Sequence, residues 1–156
     1  MKKIKILEIH GGIMLIIIVI LAVTQQYLTL PIHKSSFLKQ EFSDEYSIIT
    51  AAALRNGCGE DNKLILFAIR KAENGPPGNE FGIKCKKHSN TNLDQQAACA
   101  AVTIMNNRKR WNQAGKPCDF IIYLANVYCP QEVDPEGHDN WIKNVTYWVN
   151  KFKENS

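Results

Sequence analysis

A chain of 156 residues has room for one compact domain. Its 45% hydrophobic and 22% charged residues fit an ordinary globular core and exclude disordered, collagen-like and heptad-repeat chains. The net charge of +4 is small, Lys2, Lys3 and Lys5 against Glu8 account for half of it, and no nucleic-acid module is present; without a concentrated basic face, nucleic acid is excluded as a partner.

Residues 1–30 stand apart from the rest. A basic start, Met1–Lys5, leads into eleven uninterrupted apolar residues, Ile13–Val23. That length suits the hydrophobic region of a signal peptide, while the flanks at Gly11-Gly12 and Tyr27–Ile32 extend it toward the roughly 20 residues of an uncleaved signal anchor. Lysines before the run and a long tail after it predict that the tail crosses the membrane. The expected location is therefore exported, periplasmic or extracellular, or anchored to the inner membrane and facing outward. In that setting Cys58, Cys85, Cys99, Cys118 and Cys129 predict one or two disulfides, not a zinc or redox site, because no CxxC pair occurs. Cys118 with Cys129 is the favoured bridge, although sequence leaves fifteen two-bridge pairings open.

Residues 31–43 are polar and without periodicity, and read as a tether to a domain over 44–156. A first helix is expected from an N-cap at Ser43, with Asp44 and Glu45 in its first turn, to the stop at Asn56-Gly57. A second begins near Asp61-Asn62, places Ile65, Ala68, Ile69 and Ala72 at helical spacing, and breaks at Asn74–Gly78. Residues 78–93 read as a loop with one short strand at Phe81–Lys84. A third helix, capped by Thr91 or Asn92, carries the stripe Ala97, Ala98, Ala101, Ile104 and Met105, and so many alanines suggest a central strut packed on both sides. Shorter helices follow over about Asp119–Tyr128 and Asp139–Phe152, the last with Trp141, Val145, Trp148 and Phe152 on one face. The fold class is mainly α.

Glu73 is the residue best placed for chemistry. It ends an apolar helix just before a Gly- and Pro-rich break, where partial burial and the negative helix end both raise a carboxyl pKa. A carboxylic acid still protonated near neutral pH is what a glycosidic oxygen needs from a leaving-group acid. The acidic loop around Glu132, Asp134, Glu136 and Asp139, with His138, lacks the alternating pattern of a calcium loop and reads as a solvated turn, so no metal is expected. Lys84, Lys86, Lys87 and His88 form a basic patch suited to solvent or to anionic peptide stems. Trp141 and Trp148 read as core residues from their helical spacing.

The segment Glu73-Asn74-Gly75 followed by Asn79–Lys84 resembles the catalytic segment of the lysozyme-like superfamily. Soluble lytic transglycosylases and goose-type lysozymes have a helix-ending Glu before a polar residue and a later Gly-containing apolar turn. Related bacterial glucosaminidases have a turn similar to Phe81-Gly82-Ile83-Lys84. Ala125–Pro130 stands where transglycosylases carry their Tyr-containing motif, which aligns Tyr128 with the active-site Tyr; the Asn-Ala-Gly continuation is absent.

The resemblance spans about residues 44–153 and implies an α+β lysozyme-like domain acting on peptidoglycan glycan strands without a cofactor. Glu73 would be the general acid and base, with Asn74, Phe81, Gly82 and Tyr128 lining the sugar cleft. It further implies lytic transglycosylation between N-acetylmuramic acid and N-acetylglucosamine. Hydrolysis as a lysozyme or N-acetylglucosaminidase would need a second carboxylate about 6.5–9.5 Å from the first in an inverting mechanism, with Glu80 and Asp94 as the candidates. A non-catalytic cell-wall glycan-binding domain is the alternative from another class.

Overall fold

The computed structural model describes residues 34–83 and 91–155, with side chains from Phe37 onward. The N-terminal hydrophobic segment, the basic patch at Lys84–His88 and Cys85 lie outside these residues. The part from Phe37 on forms a compact unit. Its elements are α1 (Lys34–Phe42), α2 (Glu45–Arg55), α3 (Glu60–Glu73), α4 (Leu93–Gln113), α5 (Phe120–Tyr128) and α6 (Pro135–Glu154). This is a small, mainly helical domain. Among the described residues there is no strand, and Phe81–Ile83, expected to begin one, make a turn instead.

Six consecutive residues of α3, Leu64–Ile69, are buried. A helix apolar on every side has to be enclosed by others, and α2, α4 and α6 all pack against α3. The enclosed strut is thus α3, and not the alanine-rich helix expected in that place. The alanines of α4 have a different use: Ala97, Ala100 and Ala101 are buried, and small side chains let α2 and α3 approach closely, while Val102, Asn106 and Lys109 on α4 remain exposed.

Residues 34–42, expected as part of a tether, form α1, whose Leu38 and Phe42 are buried in the core. Its period is masked by length: nine residues offer only Phe37, Leu38 and Phe42 as apolar contacts. Aromatic packing settles the matter. Phe42 lies 4.7 Å from Phe67 of α3 and 5.8 Å from Phe152 of α6, ring centre to ring centre. Tyr46 of α2 stacks on the same Phe67 at 5.6 Å. Rings from four helices thus form one chain of contacts through Phe42 and Phe67.

Helix ends follow local chemistry. Asn92 caps α4 in a reciprocal capping box with Gln95, and Asp119 caps α5 by accepting from Ile121 N at 2.8 Å. The start of α2 differs from expectation: Ser43 has φ +31°, and Asp44 occupies the cap position without a side-chain bond. The last helix begins a turn earlier than its apolar pattern suggests, with Pro135 in its first turn and Asp134 accepting from Gly137 N. The acidic stretch is therefore partly a helix start, and no group of three or more potential metal ligands forms among the described residues.

Cys58, Cys118 and Cys129 are free thiols, so the expected Cys118–Cys129 bridge is not formed; Cys99 is disulfide-bonded. No described helix is long and apolar enough to cross a membrane. Phe67→Ala would remove the ring shared by α1, α2 and α3, and should lower unfolding free energy by about 3–5 kcal/mol. Urea titration followed by circular dichroism would measure it; a loss below about 1 kcal/mol would contradict this packing scheme.

Candidate active site at the end of α3

The end of α3 lies where α5 and α6 meet. Asn74 closes α3 in the left-handed conformation, φ +42°, donating its N–H to Arg70 O. The chain then turns sharply: Asn79 N donates to Pro76 O at 2.9 Å, and Gly82 N to Asn79 O at 3.1 Å. Gly75 is needed for this path, because a β-carbon there would fall 1.9 Å from Asn79 O. The turn brings Gly82 back over the helix end. At Gly82, φ is +65°, and a β-carbon would lie 2.2 Å from Glu73 Oε2. The carboxyl group fills the place of the missing side chain.

The other oxygen of Glu73 is held from α6. Trp141 Nε1 donates to Glu73 Oε1 at 2.7 Å, across 68 positions of sequence. Tyr128, the last residue of α5, stacks on the Trp141 ring at 5.0 Å and 24°. The Tyr128 hydroxyl is buried and has no hydrogen-bond partner among the described residues. His138, buried on the first turns of α6, sets this geometry by pairing its Nδ1 with Cys129 O at 2.6 Å. The ends of α3 and α5 are thereby both fastened to α6.

Burial pushes the Glu73 pKa above the ordinary carboxylate value, and the Trp141 hydrogen bond acts in the opposite direction. Burial, and then the nearby Glu73 charge, raise the Tyr128 hydroxyl, so it stays protonated. The Cys129 thiol is likewise raised by partial burial and by the charges of Asp134 and Glu73. The group can hold a proton on Glu73 and present a buried hydroxyl beside it.

The residues singled out by sequence divide here. Gly82 lies against Glu73, and Tyr128 stacks on the Trp141 ring that bonds the same carboxyl group. Phe81 does not line a cleft: its side chain is fully buried in the core. Asn74 is the helix cap and lines a polar groove with Glu41, Asp44, Glu45, Arg70 and Lys71. Asp94, expected as a possible second carboxylate, is paired with Arg55, and its side chain is half exposed. Glu80, by contrast, is only 6% exposed, and its Oε2 finds no hydrogen-bond partner among the described residues. It lines a groove of about 660 Å³ with Asn79, Thr91 and Leu93. No family model, curated protein or solved structure matches the chain.

Trp141 is the site residue that sequence reading assigned to the core. The available signal was chemical: an indole N–H on a buried helix face needs an acceptor, and Glu73 is an acid at the edge of an apolar helix. The raised Glu73 pKa also has a consequence for stability. The folded state binds the proton more tightly than the unfolded chain, so stability is full below the unfolded pKa and falls as pH rises through the folded one. Glu73→Gln removes the buried charge. Its melting temperature should exceed that of the wild type at pH 7.5, and the difference should shrink toward zero near pH 4. Calorimetry at both pH values decides; a constant difference would show that Glu73 ionises without penalty.

Proposed function

We propose that this chain cleaves the glycan strands of peptidoglycan, with a lysozyme-like helical arrangement around the end of α3 and Glu73 as general acid. The observation that carries this reading is the half-buried Glu73 carboxyl, raised by burial, with Gly82 against one oxygen and Tyr128 close by. Leaving-group protonation needs an acid of this kind. No cofactor is required.

The favoured reaction is lytic transglycosylation at the bond between N-acetylmuramic acid and N-acetylglucosamine, which needs only the one carboxyl group. Glu73 protonates the glycosidic oxygen, and the resulting carboxylate takes the proton of the sugar's own 6-hydroxyl as the anhydro ring closes. Hydrolysis, as a lysozyme or N-acetylglucosaminidase, is the second reading, favoured by one observation: the buried Glu80 carboxyl group, whose Oε2 has no hydrogen-bond partner among the described residues, would serve as base. The ion pair to Arg55 counts against Asp94 in that role. Peptidoglycan as partner agrees with export directed by the N-terminal hydrophobic segment, which leaves the domain outside the cytoplasm, released or anchored.

The full-length chain incubated with purified peptidoglycan should release anhydro-muropeptides, one water lighter than hydrolytic products by mass spectrometry, and Glu73→Gln should abolish release. Reducing-end products would move the assignment to hydrolysis and Glu80. Folded wild-type protein that releases no more than the variant, yet binds glycan, would make this a cell-wall-binding domain. Tyr128→Phe offers a second check. Removing a buried hydroxyl that has no partner among the described residues should leave stability unchanged or slightly higher, while turnover should fall at least about tenfold if the hydroxyl meets substrate. Unchanged turnover would take Tyr128 out of the cleft.

A further inference from the structure

We infer that Trp141 is a positioning residue that decides which oxygen of Glu73 carries the transferable proton: Oε1 is committed to the indole N–H, and Oε2, against Gly82, is the reactive one. This rests on the function proposed above, and deepens it.

An indole nitrogen is a donor only. Its contact with Oε1 at 2.7 Å therefore requires a lone pair on that oxygen in both charge states of Glu73. In the protonated acid the carbonyl oxygen is the better acceptor, so the indole favours Oε1 as the carbonyl and the proton on Oε2. That oxygen lies against the only kind of residue that leaves it room, since a β-carbon on Gly82 would sit 2.2 Å away. Gly82 itself is exposed and Glu73 is partly exposed. The Trp141 ring cannot readily swing to release Oε1. It is 8% exposed and stacked against Tyr128.

The reaction then balances on one oxygen. The proton leaves Oε2 for the glycosidic oxygen, and the electron pair of the breaking bond goes to the departing sugar. The 6-hydroxyl oxygen forms the new bond to the anomeric carbon, and its proton returns to Oε2. As the carboxylate forms, the bond from Trp141 becomes charge-assisted and strengthens. Trp141 thus favours the transition state over the ground state without touching substrate.

The groups that face Glu73 do not blur the expected pH response. Tyr128 on α5 and Cys129 after it are both held in their neutral forms. On α3 itself, Arg70 is bonded to Glu45 at 2.7 and 2.8 Å, and Lys71 is paired with Glu41. The indole bond is what opposes the effect of burial on Glu73. Removing it raises the Glu73 pKa, and because the protonated acid is the active form, the alkaline limb of the rate profile moves to higher pH.

The test is Trp141→Phe in the full-length chain, assayed on soluble peptidoglycan fragments. The ring and its stacking remain; the N–H is lost. We expect kcat to fall about 10- to 100-fold, with KM changed less than about threefold and the alkaline limb shifted upward. In the wild type, the Trp141 indole signal in a proton–nitrogen NMR spectrum, assigned by its loss in Trp141→Phe, should titrate with Glu73 and stop doing so in Glu73→Gln. An active wild type with unchanged kcat and pH limb in Trp141→Phe would overturn the inference, as would an indole signal that ignores Glu73. A wild type inert on every glycan would instead overturn the proposed function and, with it, the catalytic use of the bond. Should Trp141→Phe fold poorly, the wild-type titration alone decides whether the bond exists.

Discussion

An acid at the end of a helix that is apolar on every side cannot avoid the protein interior. Leu64–Ile69 leave α3 no solvent face along its middle, so its last turn emerges at the margin of the core, and Glu73 emerges with it. The desolvation of that carboxyl group follows from the burial of α3, and so does its elevated pKa. The surrounding groups answer the problem this creates: a half-buried acid needs a donor, which is Trp141, and needs space, which is Gly82.

The same constraint explains why α6 is the organising element around the site. Within its first two turns it supplies the cap at Asp134, the His138 contact to Cys129 O and the Trp141 bond to Glu73. Rotation of α6 by one residue would break all three together. Such a helix start is rigid because several independent hydrogen bonds share one register, which is the property a site needs when reacting groups must be held within fractions of an ångström.

Much of the fold was legible from local chemistry. The end of α3 is written in Glu73-Asn74-Gly75-Pro76, and the start of α4 in Asn92 and Gln95, because capping and turn formation depend on neighbours in sequence. The position of Glu73 at the core's edge was legible for a related reason, since a helix end marks where a side chain leaves the core, whereas Gly82 and Tyr128 were singled out only through the resemblance. What escaped notice was non-local. The partner of Trp141 is 68 positions away, and a helical stripe says that an indole is buried without saying what accepts its N–H. α1 escaped because its nine residues carry too few apolar positions for a period, and its place is decided by rings on α3 and α6. Phe81 was misread for the opposite reason. It belongs to the turn that approaches Glu73, but successive residues of a turn face different ways, and its side chain went to the core while Gly82 went to the acid.

The ion pairs on the last turn of α3 have an electrostatic consequence. Arg70 and Lys71 precede Glu73 by three and two residues, and of these only the three-residue spacing puts a side chain on the Glu73 side of the helix. Both are drawn toward Glu45 and Glu41, the second of them on α1. The short helix that looks like a leader to the domain therefore also sets where charge sits: its Glu41 draws Lys71 toward α1 and ties the last turn of α3 to the start of the domain.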